Sequence, residues 1–183
     1  MITAPNILTF GRILIIPFVV YCLYLDTFFS CWGALFLFVL AAFTDFFDGF
    51  IARKYHKTSQ LGKFIDPMAD KLLVLSSVVS LLYIHRLDDI HIIPAFLILC
   101  RELFISGLRE FVSTQHQTTI AVNWVGKLKT TIQMMSLAFL IPAPYTYDFL
   151  YAQPVGLILL WAAAGLSLFS ACQYVCEVFY RIK

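Results

Sequence analysis

Four aspartates are the residues in this chain best suited to chemistry. Asp45 and Asp48 lie three positions apart in the run Thr44-Asp45-Phe46-Phe47-Asp48-Gly49-Phe50-Ile51-Ala52-Arg53. Asp66 and Asp70 lie four apart in Gly62-Lys63-Phe64-Ile65-Asp66-Pro67-Met68-Ala69-Asp70-Lys71. On helices these spacings put each pair on one face. The first pair is expected at the end of a second helix and the other at the start of a third, joined by a loop of about twelve residues. Like charges this close raise each other's pKa, and ionised groups near hydrocarbon cost several kcal/mol each. One or two divalent cations would remove both costs. Oxygen ligands without His or Cys point to a hard ion, magnesium or manganese, and two such ions would clamp an attacked phosphorus and its leaving oxygen. Pairing with Arg53, Lys54, Lys63 and Lys71 is the plainer alternative, but four clustered carboxylates demand fuller compensation. Gly49 and Ala52, on the same helix as Asp48, leave room for a flat group to approach, and Gly62 is a further small residue nearby. The segment reads as a metal centre for a diphosphate.

A second set of charges is cationic. Arg101 falls near the middle of an apolar stretch, Arg109 follows eight residues later, and Lys127 and Lys129 open the next stretch. An ionisable residue inside a membrane segment is by default a functional candidate. Snorkelling, or pairing with Glu102 and Glu110, is the competing explanation. Arg grips phosphate through a fork of donors and Lys as a point charge. Several cations near a metal–diphosphate site therefore suggest a second bound group that itself carries phosphate.

The elements that must position these groups follow from composition. The chain has 183 residues, 61% apolar and only 13% charged, with a mean hydropathy of +0.84. Soluble domains average about 45–50% apolar and 25% charged, so a water-soluble enzyme, a disordered chain and a disulfide scaffold are excluded. Six apolar stretches stand out, at Ile7–Leu25, Trp32–Ala52, Ile65–Ile84, Ile92–Val112, Val125–Ile141 and Pro154–Tyr180. Six crossings at about 20 residues each fit this length. The expectation is a single all-α domain over residues 1–183, a polytopic membrane protein of six transmembrane helices. Pro17, Pro67 and Pro94 are expected in or near helix starts, where a missing N–H matters little or a kink is tolerated. The first stretch has no convincing cleavage site after it and is read as a retained helix. Of 13 Lys and Arg residues, only Arg86 falls in the breaks after helices one, three and five. By the positive-inside rule both termini are cytoplasmic, and the polar chemistry gathers on that face.

Partners are bounded as well. A net charge of +2 without a basic block argues against nucleic acid. Cys22, Cys31, Cys100, Cys172 and Cys176 have no metal or redox spacing and read as small apolar side chains. The small run Ala162–Gly165 hints at close helix packing.

The pattern Asp45-x-x-Asp48-Gly49-x-x-Ala52-Arg53-x8-Gly62-x-x-x-Asp66-x-x-x-Asp70 resembles, at every fixed position, the signature of the CDP-alcohol phosphotransferases. That resemblance implies a six-helix membrane fold in which a CDP-linked lipid donates its phosphatidyl group to an alcohol and releases CMP. It implies that Asp45, Asp48, Asp66 and Asp70 ligate two Mg2+ or Mn2+ ions, and that Asp70 also takes the proton of the attacking hydroxyl. Gly49, Arg53 and Ser59 would touch the CDP moiety, and Ala52 and Gly62 would make space for it. Asn6, Thr9 and Arg12 would add an amino-terminal contribution.

Within the family, three stretches resemble the bacterial members that use glycerol 3-phosphate. They are Asn6-Ile7-Leu8-Thr9-x-x-Arg12, Arg101-Glu102-x-x-Ile105-Ser106-x-Leu108-Arg109-Glu110 and Trp124-Val125-Gly126-Lys127-Leu128-Lys129-Thr130-Thr131-x-Gln133. They imply CDP-diacylglycerol as donor and an acceptor pocket built from Arg101, Arg109, Lys127 and Lys129. They also imply a homodimer in the bacterial inner membrane, with its active site at the cytoplasmic face. Inositol phosphate, phosphatidylglycerol or serine as acceptor stays open within the family. A transporter is the rival from another class; such proteins hold substrate near the bilayer midplane, often with internal repeats, and no repeat is visible here.

Overall fold

A computed structural model describes the backbone of residues 4–55, 60–116, 124–146 and 151–182, and the side chains of 10–44, 65, 68–112, 124–146 and 151–179. Its helices are α1 (Ala4–Leu25), α2 (Phe28–Tyr55), α3 (Gln60–Tyr83), α4 (Ile92–His116), α5 (Trp124–Leu140) and α6 (Ala152–Ile182). Short 3-10 turns occur at Asp89–His91 and Ala143–Tyr145, and no strand occurs among the described residues. The six apolar stretches thus correspond to six helices. Two segments among the described residues, Asp89–Val112 and Ala152–Phe179, are long and apolar enough to cross a membrane; Phe10–Leu25 and Phe28–Thr44 are shorter apolar helical stretches.

Three expectations about boundaries need correction. The α2–α3 connection is not a loop of about twelve residues, because α2 continues to Tyr55 and α3 begins at Gln60. Polarity rises at Arg53–Lys54 and falls again after Lys63, yet Arg, Lys and Gln are good helix formers, so the backbone ladder outlasts the apolar run. Pro17 and Pro67 lie inside α1 and α3 rather than near their starts. The break between the first two apolar stretches, residues 26–31, shrinks to Asp26 and Thr27. There Thr27 N–H donates to Ser30 Oγ (2.9 Å) and Ser30 N–H to Thr27 Oγ1 (3.3 Å). This reciprocal cap satisfies amide donors that the first turn of α2 leaves without helical partners.

By packing, the chain divides into two units, Met1–Leu87 with Leu137–Gln153, and Asp88–Ser136 with Pro154–Lys183. In the first, α1 packs against α2 and α3. The buried stripe of α2 is Cys31, Ala34, Phe38 and Ala41, and that of α1 is Arg12, Val19 and Leu23. Opposite these stripes, α1 exposes Leu14, Phe18, Tyr21 and Leu25, and α2 exposes Phe29, Trp32, Phe36, Leu40 and Phe43. Helices apolar on every side belong inside a large protein or in lipid.

The second unit is built on α4 and α6. Ile105 and Val112 of α4 bury against Tyr174 and Val178 of α6, flanked by Leu108, Ala171 and Val175. Ser136 Oγ on α5 donates to the carbonyl of Gly156 on α6 (2.8 Å). Trp161 Nε1 donates to His91 Nδ1 (3.2 Å), tying α6 to the turn before α4.

Arg86, the cation that stood apart in the Lys/Arg distribution, is a structural hub of the first unit. The end of α3 closes with His85 at φ 57°, while Arg86 N–H bonds the Leu81 carbonyl (2.9 Å) and His85 N–H that of Leu82 (3.2 Å). These are the paired bonds of a Schellman cap. The closure delivers the Arg86 guanidinium, only 7% exposed, to the Asp26 carboxylate, the Leu140 and Ile141 carbonyls and Cys31 Sγ. It also lies 5.7 Å from the Tyr145 ring centroid, and the Tyr145 hydroxyl donates to the Asp26 carbonyl. Hydrogen bonds to charged groups contribute about 1.5–3 kcal/mol each, so Arg86→Met is expected to cost about 2–4 kcal/mol of stability. Thermal unfolding in detergent reads this as a lowered midpoint; Arg86→Lys, which keeps the charge but loses the fork, should recover only part of it.

Candidate active site

The acidic site begins in the first unit. Arg12 sits on the core-facing stripe of α1, 1% exposed, where an unpaired guanidinium would be costly. Its Nη1 donates to Asp70 Oδ1 at 2.7 Å in an ion pair between α1 and α3. The Asp70 side chain retains 37% exposure, so one edge of the carboxylate is covered while much of the group stays accessible. The sequence attached Arg12 to the nucleotide; in the structure it meets the acidic motif directly.

Positions 45 and 48 lie one turn apart within α2, and positions 66 and 70 one turn apart within α3. Asp66 is the seventh residue of α3 rather than at its start. Helical backbone therefore runs through both pairs. The side chains of Asp45, Asp48 and Asp66 lie outside the described residues, as do those of Asn6, Thr9, Gly49, Ala52, Arg53 and Gly62; Ser59 lies outside them entirely. Among the described residues no three His, Cys, Asp or Glu side chains gather around a common point. The donor chemistry still fits Mg2+ or Mn2+. All four motif residues are carboxylates on regular helix, and the one whose side chain is described is held by a buried cation rather than by an apolar wall.

The cationic residues belong to the second unit. From α4, Arg101 Nε donates to the Ser167 carbonyl (3.1 Å) and Nη2 to Ser170 Oγ (2.9 Å), both on α6. Two turns along α4, the Arg109 guanidinium stands 5.5 Å from the Tyr174 ring centroid. On α5, the buried Lys129 ammonium forms an ion pair with Glu102. Lys127 is exposed. Lys129 is close enough to Arg101 and Arg109 to be repelled by both, with Glu102 as the compensating carboxylate. The structure thus gathers Arg101, Arg109 and Lys129 into one group.

Sequence reasoning had no place for the α6 partners. Ser167, Ser170 and Tyr174 recur at helical spacing on one face of that helix, and this periodicity of polar residues within an apolar stretch was the available signal. The same unit buries two polar atoms, Gln133 Oε1 and Ser167 Oγ, that have no hydrogen-bond partner among the described residues. A buried polar group without a partner costs about 1–3 kcal/mol, and such groups are uncommon in ordinary cores.

Comparison with known proteins now bears on this geometry. Residues 2–169 match the model of the CDP-alcohol phosphatidyltransferases. The chain belongs to that family. It is 40% identical over 178 residues to a protein of Rickettsia typhi named CDP-diacylglycerol–glycerol-3-phosphate 3-phosphatidyltransferase, covering 96% of this chain and 98% of the relative. Proteins of the same name from Shigella flexneri and Escherichia coli K12 are 40% and 39% identical over 172 residues, covering 93% of this chain and 92% of each relative. These matches extend through α1, the two carboxylate pairs, the α4 cations and Lys127–Lys129 together.

Proposed function

We propose that this protein transfers the phosphatidyl group of CDP-diacylglycerol to the primary hydroxyl of glycerol 3-phosphate, giving phosphatidylglycerol phosphate and CMP. The near end-to-end likeness to transferases named for this reaction carries that conclusion. The grouping of Arg101, Arg109 and Lys129 supports the choice of a phosphorylated acceptor.

In this proposal Asp45, Asp48, Asp66 and Asp70 hold two Mg2+ or Mn2+ ions; when bound, the ions neutralise charge on the diphosphate as CMP departs. Asp70 accepts the proton of the acceptor hydroxyl, a poor nucleophile near neutral pH without a positioned base. Arg12 orients Asp70 through their ion pair. Arg53 and Ser59 contact the CDP group, with Asn6, Thr9 and Gly49 completing its surroundings and Ala52 and Gly62 leaving it space. Arg101, Arg109, Lys127 and Lys129 take the acceptor's phosphate.

The proposal extends to the setting: a single domain crossing the bacterial inner membrane six times, with both termini and the active site at the cytoplasmic face. The Lys/Arg distribution supports this orientation, and the outward apolar stripes of α1 and α2 support lipid contact. A homodimer is part of the same proposal; the exposed Ala162 and Gly165 on α6 would permit close helix approach.

The test is CMP release from CDP-diacylglycerol in micelles with each acceptor in turn. Glycerol 3-phosphate is expected to support turnover; silence with it and product with inositol phosphate would move the acceptor and leave the family intact. Lys127→Ala probes the pocket with little risk to folding, since the side chain is exposed. Loss of one phosphate contact should raise KM for glycerol 3-phosphate about tenfold, with a smaller change in kcat. An unchanged KM would take Lys127 out of the pocket.

A further inference from the structure

Glu102 was outside the set of candidate site residues, yet it is the carboxylate paired with Lys129. We infer that Glu102 is a positioning residue for the acceptor, acting through the Lys129 ammonium; this rests on the proposed role of Lys129 in binding the acceptor's phosphate.

The three grouped cations are held in different ways. Arg101 is fixed by two hydrogen bonds to α6, and Arg109 lies over the Tyr174 ring. Among the described residues Lys129 has neither form of support. Its ammonium is repelled by both guanidiniums, and its long stem carries about 2 kcal/mol of rotamer entropy. The side chain is nonetheless only 3% exposed, with its charge directed to Glu102. Removing the carboxylate would leave a flexible, buried ammonium among like charges, free to swing away.

Glu102 differs from its partner in exposure, at 23% against 3% for Lys129. Its carboxylate therefore reaches solvent, whereas the paired ammonium is covered. An ammonium has three N–H donors, and the ion pair uses one of them. Two remain for an anionic oxygen, so Glu102 can hold Lys129 in place without saturating it. Lys129 would then meet phosphate as an already oriented point charge, and the ordering cost would not fall on the binding step.

The experiment is a cycle in the full-length protein in micelles, comparing Glu102→Gln, Lys129→Met and the double variant, with KM measured separately for each substrate. Glu102→Gln should raise KM for glycerol 3-phosphate about tenfold, leave KM for CDP-diacylglycerol within about twofold, and change kcat less than KM. Glu102→Asp should recover part of the loss. In the Lys129→Met background, Glu102→Gln should add less than about a twofold effect, since the residue it acts through is gone. This double variant removes both members of the buried ion pair, so it guards against loss of the single variant to an unpaired Lys129 ammonium. Should Lys129→Met raise KM while Glu102→Gln only lowers the thermal midpoint, or should the two effects multiply, the positioning role is overturned. Should Lys129→Met leave KM unchanged, the acceptor assignment of Lys129 fails instead.

Discussion

Asp70→Asn is expected to lower CMP release by about three orders of magnitude, because general-base catalysis alone contributes about 10²–10⁴ and the same carboxylate is a proposed metal ligand. The substitution is close to isosteric. Its amide oxygen can still accept the 2.7 Å hydrogen bond from Arg12 Nη1, so α1 and α3 keep their tie. What disappears is the negative charge and the capacity to take a proton. Binding of the CDP-lipid, spread over several other residues, should survive in part. Single-turnover CMP release combined with equilibrium binding of a CDP-lipid separates the two effects. Turnover near that of the unmodified protein would remove Asp70 from the base role.

Removal of divalent ions should have an effect of the same order. In the proposed site four carboxylates on two helices would repel one another without cations between them, and metal stabilisation of phosphoryl-transfer charge is worth several kcal/mol. Stripping with a chelator should therefore take CMP release to background, a loss of about a thousandfold or more. Mg2+ or Mn2+ should restore it, in keeping with an oxygen-only ligand set. Turnover that persists after stripping would contradict the proposed metal role of the four aspartates.

The number and order of helices were legible because apolar runs of this length have few alternatives, and the carboxylate pairs were legible because helical spacing alone relates them. Boundaries were less so. Hydropathy marks where lipid-compatible composition ends, whereas backbone hydrogen bonding continues through Arg53–Tyr55 and resumes by Gln60. Partner choice between helices was the least legible. Arg12 is paired with Asp70, 58 positions away, and Arg101 with Ser167 and Ser170, 66 and 69 positions away. Local periodicity shows that a buried arginine needs a partner but not which helix supplies it. Arg86 illustrates the same limit: as the one Lys or Arg in the breaks after helices one, three and five it looked like an exception to the distribution of cations, and in the folded chain it is the buried hub joining Asp26, Leu140, Ile141 and Tyr145.

The most direct measurement is the anomalous scattering of Mn2+ in crystals of the protein grown with a CDP-lipid. Peaks should appear among the carboxylates of Asp45, Asp48, Asp66 and Asp70, within about 2.0–2.3 Å of their oxygens and against the pyrophosphate. Manganese bound elsewhere, or a nucleotide seated away from those four side chains, would contradict the assignment of this motif to metal-held diphosphate.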